Sequence, residues 1–380
     1  MKALVRIAGV ASAVLLPLAA VAQDIKIGFV SSLSGPVAAL GIPYEKGIRA
    51  AIAQQPLIAG RKVELIVLDD ASDPTTAARN ARKLIVEDKV DVLIGTSGVP
   101  GATAMAAVAR ELNTPLISPT PLSIPGAAGA WVVTVSQPFQ LMVAAVVERM
   151  KKAGVGTVAF IGFSDALGDL AYDSLARSAD AAGIKVVANE RYARSDSSVA
   201  GQVLKIVAMR PDAVFAGNSG TPGALPYLAL AERGYKGQIY GTHGLINADF
   251  VRVGGSSIEG LQVPSGPVLV ADQLPDGNPI KKVSMAFRAA YQKAHGAPPV
   301  DAFSAYTYDS YLLLADAAAR VKAAPGTAQY RTALRDAIVA TKDLIGTHGV
   351  YTFTPDSRYG SDQRGVVIVK IDKGQWKLVP

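Results

Sequence analysis

The sequence predicts an α/β protein built as two Rossmann-like, doubly wound lobes. Three observations carry that prediction. Short, almost uninterrupted apolar segments alternate with amphipathic helical ones, as parallel strands covered on both faces require. The alternation starts afresh after Pro138, so two such series follow one another in 380 residues. The strand-like segments also end in runs of Gly, Ser, Thr and Pro, the composition of loops at the carboxyl edge of an open sheet.

In the first series the strand candidates are 25–30, 62–69 (KVELIVLD), 90–95 (VDVLIG) and 115–118 (PLIS). The helix between the second and third, 74–88, puts Ala77, Ala81, Leu84 and Ile85 on one face. Asp73 is its cap and Pro74 its first position, where a missing N–H costs nothing. The second series offers strands at 157–163 (TVAFIGF), 184–192, 212–217, 238–241 and 258–263. Residues 279–342 then read as helices without a sheet of their own, and 349–380 end in two strand-like stretches. The late helices are expected to pack on the first lobe and the terminal strands to return to the second. That gives lobe one 23–138 plus 267–346 and lobe two 139–266 plus 347–380. Crossings are expected near 137–139, 262–267 and 345–350, and three crossings make a hinge.

Residues 1–22 stand apart from both lobes. Lys2 and Arg6 precede an apolar run, Ile7 to Leu18, and Ala20-Val21-Ala22 follows as a small-x-small site. This is the pattern of an export signal cleaved after Ala22, and the run is too short to span a bilayer. There is no cysteine, which excludes disulfides, thiol nucleophiles and thiolate metal sites. The formal charge of +7 includes Lys2 and Arg6, and the other basic residues are scattered. No basic stripe of the kind nucleic acid demands is present.

Chemistry was sought at the turns. FVSSLSGPVAALG (29–41) runs from a strand into a hydroxyl-rich turn, but it lacks the G-x-G-x-x-G that a dinucleotide needs. Gly95, Gly98 and Gly101 are not followed by the lysine of a phosphate loop. IGFSDALGD (161–169) has the outline of a nucleophile elbow around Ser164, with Ala166 where a second glycine belongs. A secreted serine hydrolase is therefore one rival reading, and a plain helix cap at Ser164 or Asp165 is the ordinary one. His243, His295 and His348 are isolated, so no metal and no other cofactor is expected. What remains is a set of lips, SSLSGP, GTSGVPG, SPTPLS, GFSDALG, GNSGTPG and GTHG, drawn from both halves. Such backbone amides and hydroxyls suit a clamshell around a small polar solute.

At the level of motifs the chain resembles the type I periplasmic solute-binding proteins, in the leucine/isoleucine/valine-binding branch that serves ABC importers. The carrying residues are IKIGFVSSLSGPVAALG (25–41), LDDASDPTTAARNARKLI (68–85), VLIG (92–95), PLISPTP (115–121), IGFSDALGDLA (161–171), YGTHGLIN (240–247) and EGLQV (259–263). The resemblance implies a monomeric periplasmic protein that closes on an amino acid or related molecule. It would deliver that molecule to an ABC permease and its ATPase, without catalysis; a receptor's ligand-sensing module is the alternative. Carried over residue by residue, the family's ligand positions fall at Leu40, Ser97, Gly98, Val99, Thr120, Leu122, Phe139, Leu167, Ser219 and His243. The family's tyrosines become Leu40, Leu167 and Ser219, and the glutamate that grips an α-ammonium becomes His243. An ammonium buried without a carboxylate pays a desolvation cost of several kcal/mol. The expected ligand is thus an apolar or aromatic carboxylate or amide with no free α-ammonium, with His243 donating to its acid or carbonyl group. The competing reading of His243 is a capping residue outside the pocket.

Overall fold

The computed structural model describes residues 23–122, 131–354 and 357–379. The export-signal reading falls on residues outside these. The first sheet holds β1 (Ile25–Ser31), β2 (Leu57–Ile58), β3 (Arg61–Asp69), β4 (Val92–Gly95), β5 (Leu116–Ser118) and β6 (Val132–Thr134). Its order is β2-β3-β1-β4-β5-β6, with β1 parallel to both β3 and β4. Helix α1 (Ala38–Gln54) covers one face, and α2 (Pro74–Val86) and α3 (Val99–Glu111) the other.

The second sheet takes β7 (Thr157–Phe163), β8 (Lys185–Tyr192), β9 (Ala213–Gly217), β10 (Gln238–Gly241) and β11 (Gln262–Ser265). They interleave with α4 (Phe139–Lys152), α5 (Ala166–Ala182), α6 (Ala200–Ala208), α7 (Leu225–Glu232) and α8 (Ala248–Gly254). The chain then forms α9 (Pro279–His295), α10 (Phe303–Ala319) and α11 (Ala328–Val339). A hairpin of β12 (Leu344–Ile345) and β13 (Val350–Tyr351) follows, and β14 (Val367–Asp372) and β15 (Gln375–Leu378) close the chain. The second sheet runs β15-β14-β11-β10-β9-β7-β8.

Both sheets reverse direction beside their first strand, between β1 and β4 and between β7 and β9. Ligands of open α/β sheets lie outside the carboxyl ends of strands at such switch points. The topology therefore aims the turns after β1, β4, β7 and β9 at one place.

The late helices do pack on the first lobe. Phe287, Tyr291, Phe303 and Tyr306 share a core with Ile27, Phe29 and Tyr44. The terminal stretch departs from expectation. Residues 347–354 and 357–360 stay with the first lobe, because Tyr351 and Phe353 are buried in that same core. Tyr351 Oη lies 3.0 Å from Val135 O, and Thr134 N donates to Arg358 O at 3.0 Å. The third crossing thus lies near 361–366, later than 345–350, and only β14 and β15 join the second sheet. Two strands also differ. The reading at 258–263 shifts to β11, because Gly255–Ile258 forms a 3-10 turn, and β6 was too short to announce itself.

A polar hub ties the crossings together. Gln137, in the first, donates to Gly365 O at 2.7 Å in the third and accepts from Tyr306 Oη at 2.6 Å. His348, in the turn between β12 and β13, is fully buried, stacked on the Tyr306 ring at 3.7 Å, with Nε2 on Ala302 O at 2.9 Å. Gly266, in the second crossing, lies so close that a Cβ there would sit 1.7 Å from His348 Nδ1.

Candidate functional site: the interlobe cleft

The first-lobe lip is built from SSLSGP (31–36) and DDASD (69–73), and the two segments bind each other. In the turn after β1, Ser32 Oγ donates to Asp70 at 2.7 Å and Ser34 Oγ to Asp69 at 2.6 Å. The return contacts are Ser72 Oγ to Ser34 O at 2.7 Å and Val37 N to Ser72 Oγ at 3.0 Å. Partial burial works to raise the Asp69 carboxyl, but donors from Ser34, Ala71 and Leu33 outweigh it and hold the group below the usual carboxylate range. Ser31 and Ser32 also reach Ser97 beyond β4, at 2.9 and 3.0 Å. Helix α1 presses against this turn at Gly41, where a Cβ would lie 1.9 Å from Ser32 O.

Between this lip and the second lobe lies a narrow cavity of about 320 Å³, whose enclosed part has room for about one water. The first lobe contributes Leu40, Tyr44, Ser97, Gly98, Val99, Thr120, Pro121 and Phe303; the second contributes Leu167, Ser219, Thr242, His243 and Gly244. Two expected residues stand back from it. Leu122 is buried in the core under α2 and α3, its backbone N and O held by Tyr359 Oη at 3.0 and 2.7 Å. Phe139 starts α4 and backs the wall, edge-on to the His243 ring at 5.8 Å. No acidic side chain lines the cavity among the described residues.

Most of the lining hydroxyls already have acceptors. Ser31 Oγ gives its proton to Gly41 O at 2.9 Å, so in the Ser31–Ser97 contact Ser97 is the donor. Thr120 Oγ1 donates to Thr96 O and Thr242 Oγ1 to Asn218 O, each at 2.5 Å. The Tyr44 proton lies between Pro119 O at 3.1 Å and Thr120 Oγ1 at 3.3 Å. Two groups, both on the second lobe, remain open. Ser219 Oγ accepts from Arg194 Nη1 at 3.2 Å, and arginine has only donors, so the serine proton is free. His243 Nδ1 is buried with no partner, and burial pushes the ring down to about 4, so it is neutral. The capping role belongs to its neighbour: Thr242 Oγ1 accepts from Gly244 N at 3.1 Å. Opposite them the first turn of α3 presents Gly98 and Val99, with the free N–H groups and partial positive charge of a helix start.

Ser164 does not carry a nucleophile's surroundings. It is exposed, its hydroxyl donates to Tyr192 O at 3.2 Å, and Asp165 caps α5 through Leu167 N and Gly168 N. His295 bonds Lys46 O from the end of α9. Among the described residues no group of three His, Asp or Glu side chains could hold a metal ion, and no helix is long and apolar enough to cross a membrane. Tyr44, Phe303 and Arg194 are the contributors that the sequence reading missed. Tyr44 lies one helical turn beyond Leu40 and was within reach of that reading.

The model of the periplasmic binding protein family matches residues 24–375. A Leu/Ile/Val-binding protein homologue of Brucella melitensis is 27% identical over 249 residues, 62% of this chain and 66% of the relative, just under two thirds of its length. The crystal structure of an extracellular ligand-binding receptor from Rhodopseudomonas palustris HaA2 is 40% identical. It superposes with a TM-score of 0.90 over 94% of this chain and all of that one. An R. palustris ABC-transporter solute-binding protein in complex with benzoate shares the fold at TM-score 0.80 and 23% identity, over 94% of this chain and 96% of that one. With its two switch-point lobes, its three-crossing hinge and its cleft, the chain belongs to the Leu/Ile/Val-binding type of periplasmic binding protein.

Proposed function

We propose that this protein captures a small apolar or aromatic acid or amide without an α-ammonium in its interlobe cleft. As a monomer it hands this solute to an ABC permease and its ATPase at the inner membrane. The ten positions carried over from the family form the site, eight by lining it and Leu122 and Phe139 by supporting its wall. One observation carries the reading: among the described residues no acidic side chain lines the cavity, and a neutral His243 stands there with an open ring nitrogen. An ammonium enclosed without a carboxylate loses several kcal/mol of hydration that nothing returns. Leu40, Val99, Leu167 and Phe303 supply apolar contact for a ring or chain, and the start of α3 suits an acid group. In one neighbour the same fold houses benzoate.

Calorimetric titration of the exported form with benzoate and with leucine tests the proposal. Benzoate is expected to bind at least about 100-fold more tightly, a difference of roughly 3 kcal/mol. Leucine binding as tight as benzoate binding overturns it.

A further inference from the structure

Arg194 lies in the loop between β8 and α6, where its charge reads as ordinary surface. The structure instead leaves it only partly exposed and turns it toward the cleft. Its guanidinium carbon stands 4.1 Å from the centre of the Phe163 ring. Nε donates to Asp165 Oδ2 at 2.5 Å and Nη1 to Ser219 Oγ at 3.2 Å, while Nη2 is buried with no partner. The side chain borders a second interlobe cavity of about 250 Å³, opposite Ser32, Asp70, Ser72 and Gly98. Gly98 also lines the main cavity, as does Ser219, so the two spaces meet there.

The neighbouring carboxylates do not absorb this donor. Asp70 takes Ser32 Oγ, Ser72 N and Thr96 Oγ1 within its own lobe. Asp165 is shared with Leu167 N and Gly168 N at the start of α5. Two donors therefore stand at this edge of the cleft: the unpartnered Nη2, on a side chain that borders the second space, and the Ser219 hydroxyl of the main cavity, whose oxygen accepts from Nη1 and whose proton is free.

We infer that Arg194 sets the charge class of the solute: directly, and through Ser219, it makes the second lip a donor pair that takes a carboxylate and rejects the matching amide. A carboxylate offers acceptors to both donors, and charge-assisted bonds are the stronger kind. A primary amide has a single uncharged oxygen to share between both donors, and its own NH₂ adds a further donor where acceptors are scarce. The inference rests on the proposed function, of which it selects the acid over the amide.

Benzoate and benzamide, equal in shape, are the probes. Each is titrated into the parent protein, Arg194→Gln and Ser219→Ala, with thermal midpoints recorded beside the affinities. The parent is expected to favour benzoate by about tenfold or more; Arg194→Gln should lose about tenfold for benzoate and less than about threefold for benzamide. Ser219→Ala should show the same selective loss at about threefold to tenfold. Equal losses for both probes, or unchanged benzoate affinity in both variants, overturn the role of Arg194 and leave the proposed function standing. A parent that binds leucine and neither probe overturns the proposed function, and this inference with it.

Discussion

The two lips of the cleft are made of the same residue types and behave differently. On the first lobe Ser31, Ser32, Ser34, Ser97 and Thr120 are bonded into a closed network with Asp69, Asp70 and backbone carbonyls. On the second lobe Ser219 and His243 keep a free proton and an open nitrogen. The first lip is thus a closed wall that gives shape, and under the proposed function the second lip is the one that reads the solute. A hydroxyl in a cleft counts as a binding group only after its proton has been traced.

The strongest way to break this contrast is to disturb the wall. Gly41→Ala would place a methyl group 1.9 Å from Ser32 O, an overlap that α1 relieves only by moving off the turn. We expect a loss of about 3 kcal/mol in urea unfolding, together with weaker solute binding. Stability within about 0.5 kcal/mol of the parent would mean that the two elements are not locked.

A milder change separates wall from reader. Ser97→Ala removes the acceptor of Ser32 N and the donor to Ser31, both buried, without touching a free donor of the cavity. The expected cost is about 1–2 kcal/mol of stability, with solute affinity changed less than about threefold. A large loss of affinity at unchanged stability would move Ser97 from the wall to the reading surface.

How much of this the sequence disclosed depends on which force places each residue. The lips that hold Ser97, Ser219 and His243 follow from the alternation of strand and helix, while these residues themselves were singled out by the family resemblance. Leu122 stands back from the cavity because Tyr359, remote in sequence, holds its backbone. Phe303 was invisible because it reaches the cleft only through the packing of α10 on α1. Tyr351 and Phe353 pulled the third crossing later through long-range burial, which no local pattern records. Arg194 was hidden for a different reason: in the sequence it has the look of a solvated loop charge, and only Asp165, Ser219 and Phe163 together give it a direction.

The smallest expected effect sharpens the contrast through pH. Burial holds His243 down to about 4. His348 is pushed to about 3, by burial first, with the Ala302 carbonyl opposing and His243 adding to it. Both titrate near 6.5 in the unfolded chain. As pH falls below about 6.5 the unfolded state takes up protons that the folded state refuses, so each histidine lowers stability until its folded value is reached. Asp309 works the other way. Burial raises it to about 6 against donors from Tyr351, Thr347 and His348, so the folded state holds a proton that the unfolded carboxyl releases from about pH 4 upward. Among these three groups, two histidines against one aspartate leave about one net proton between pH 6 and 5, a decline of about 1.4 kcal/mol per pH unit, from which Asp301 and Asp91, also raised by burial, subtract. His243→Gln removes one of the two and should nearly flatten that decline, read from urea midpoints at successive pH values. The wall joins only at the lower end of this window, where the unfolded Asp69 carboxyl starts to take up a proton that the folded one, held below the usual carboxylate range, refuses. An undiminished slope in His243→Gln would place the pH sensitivity in the hinge at His348 alone and take it away from the reading lip.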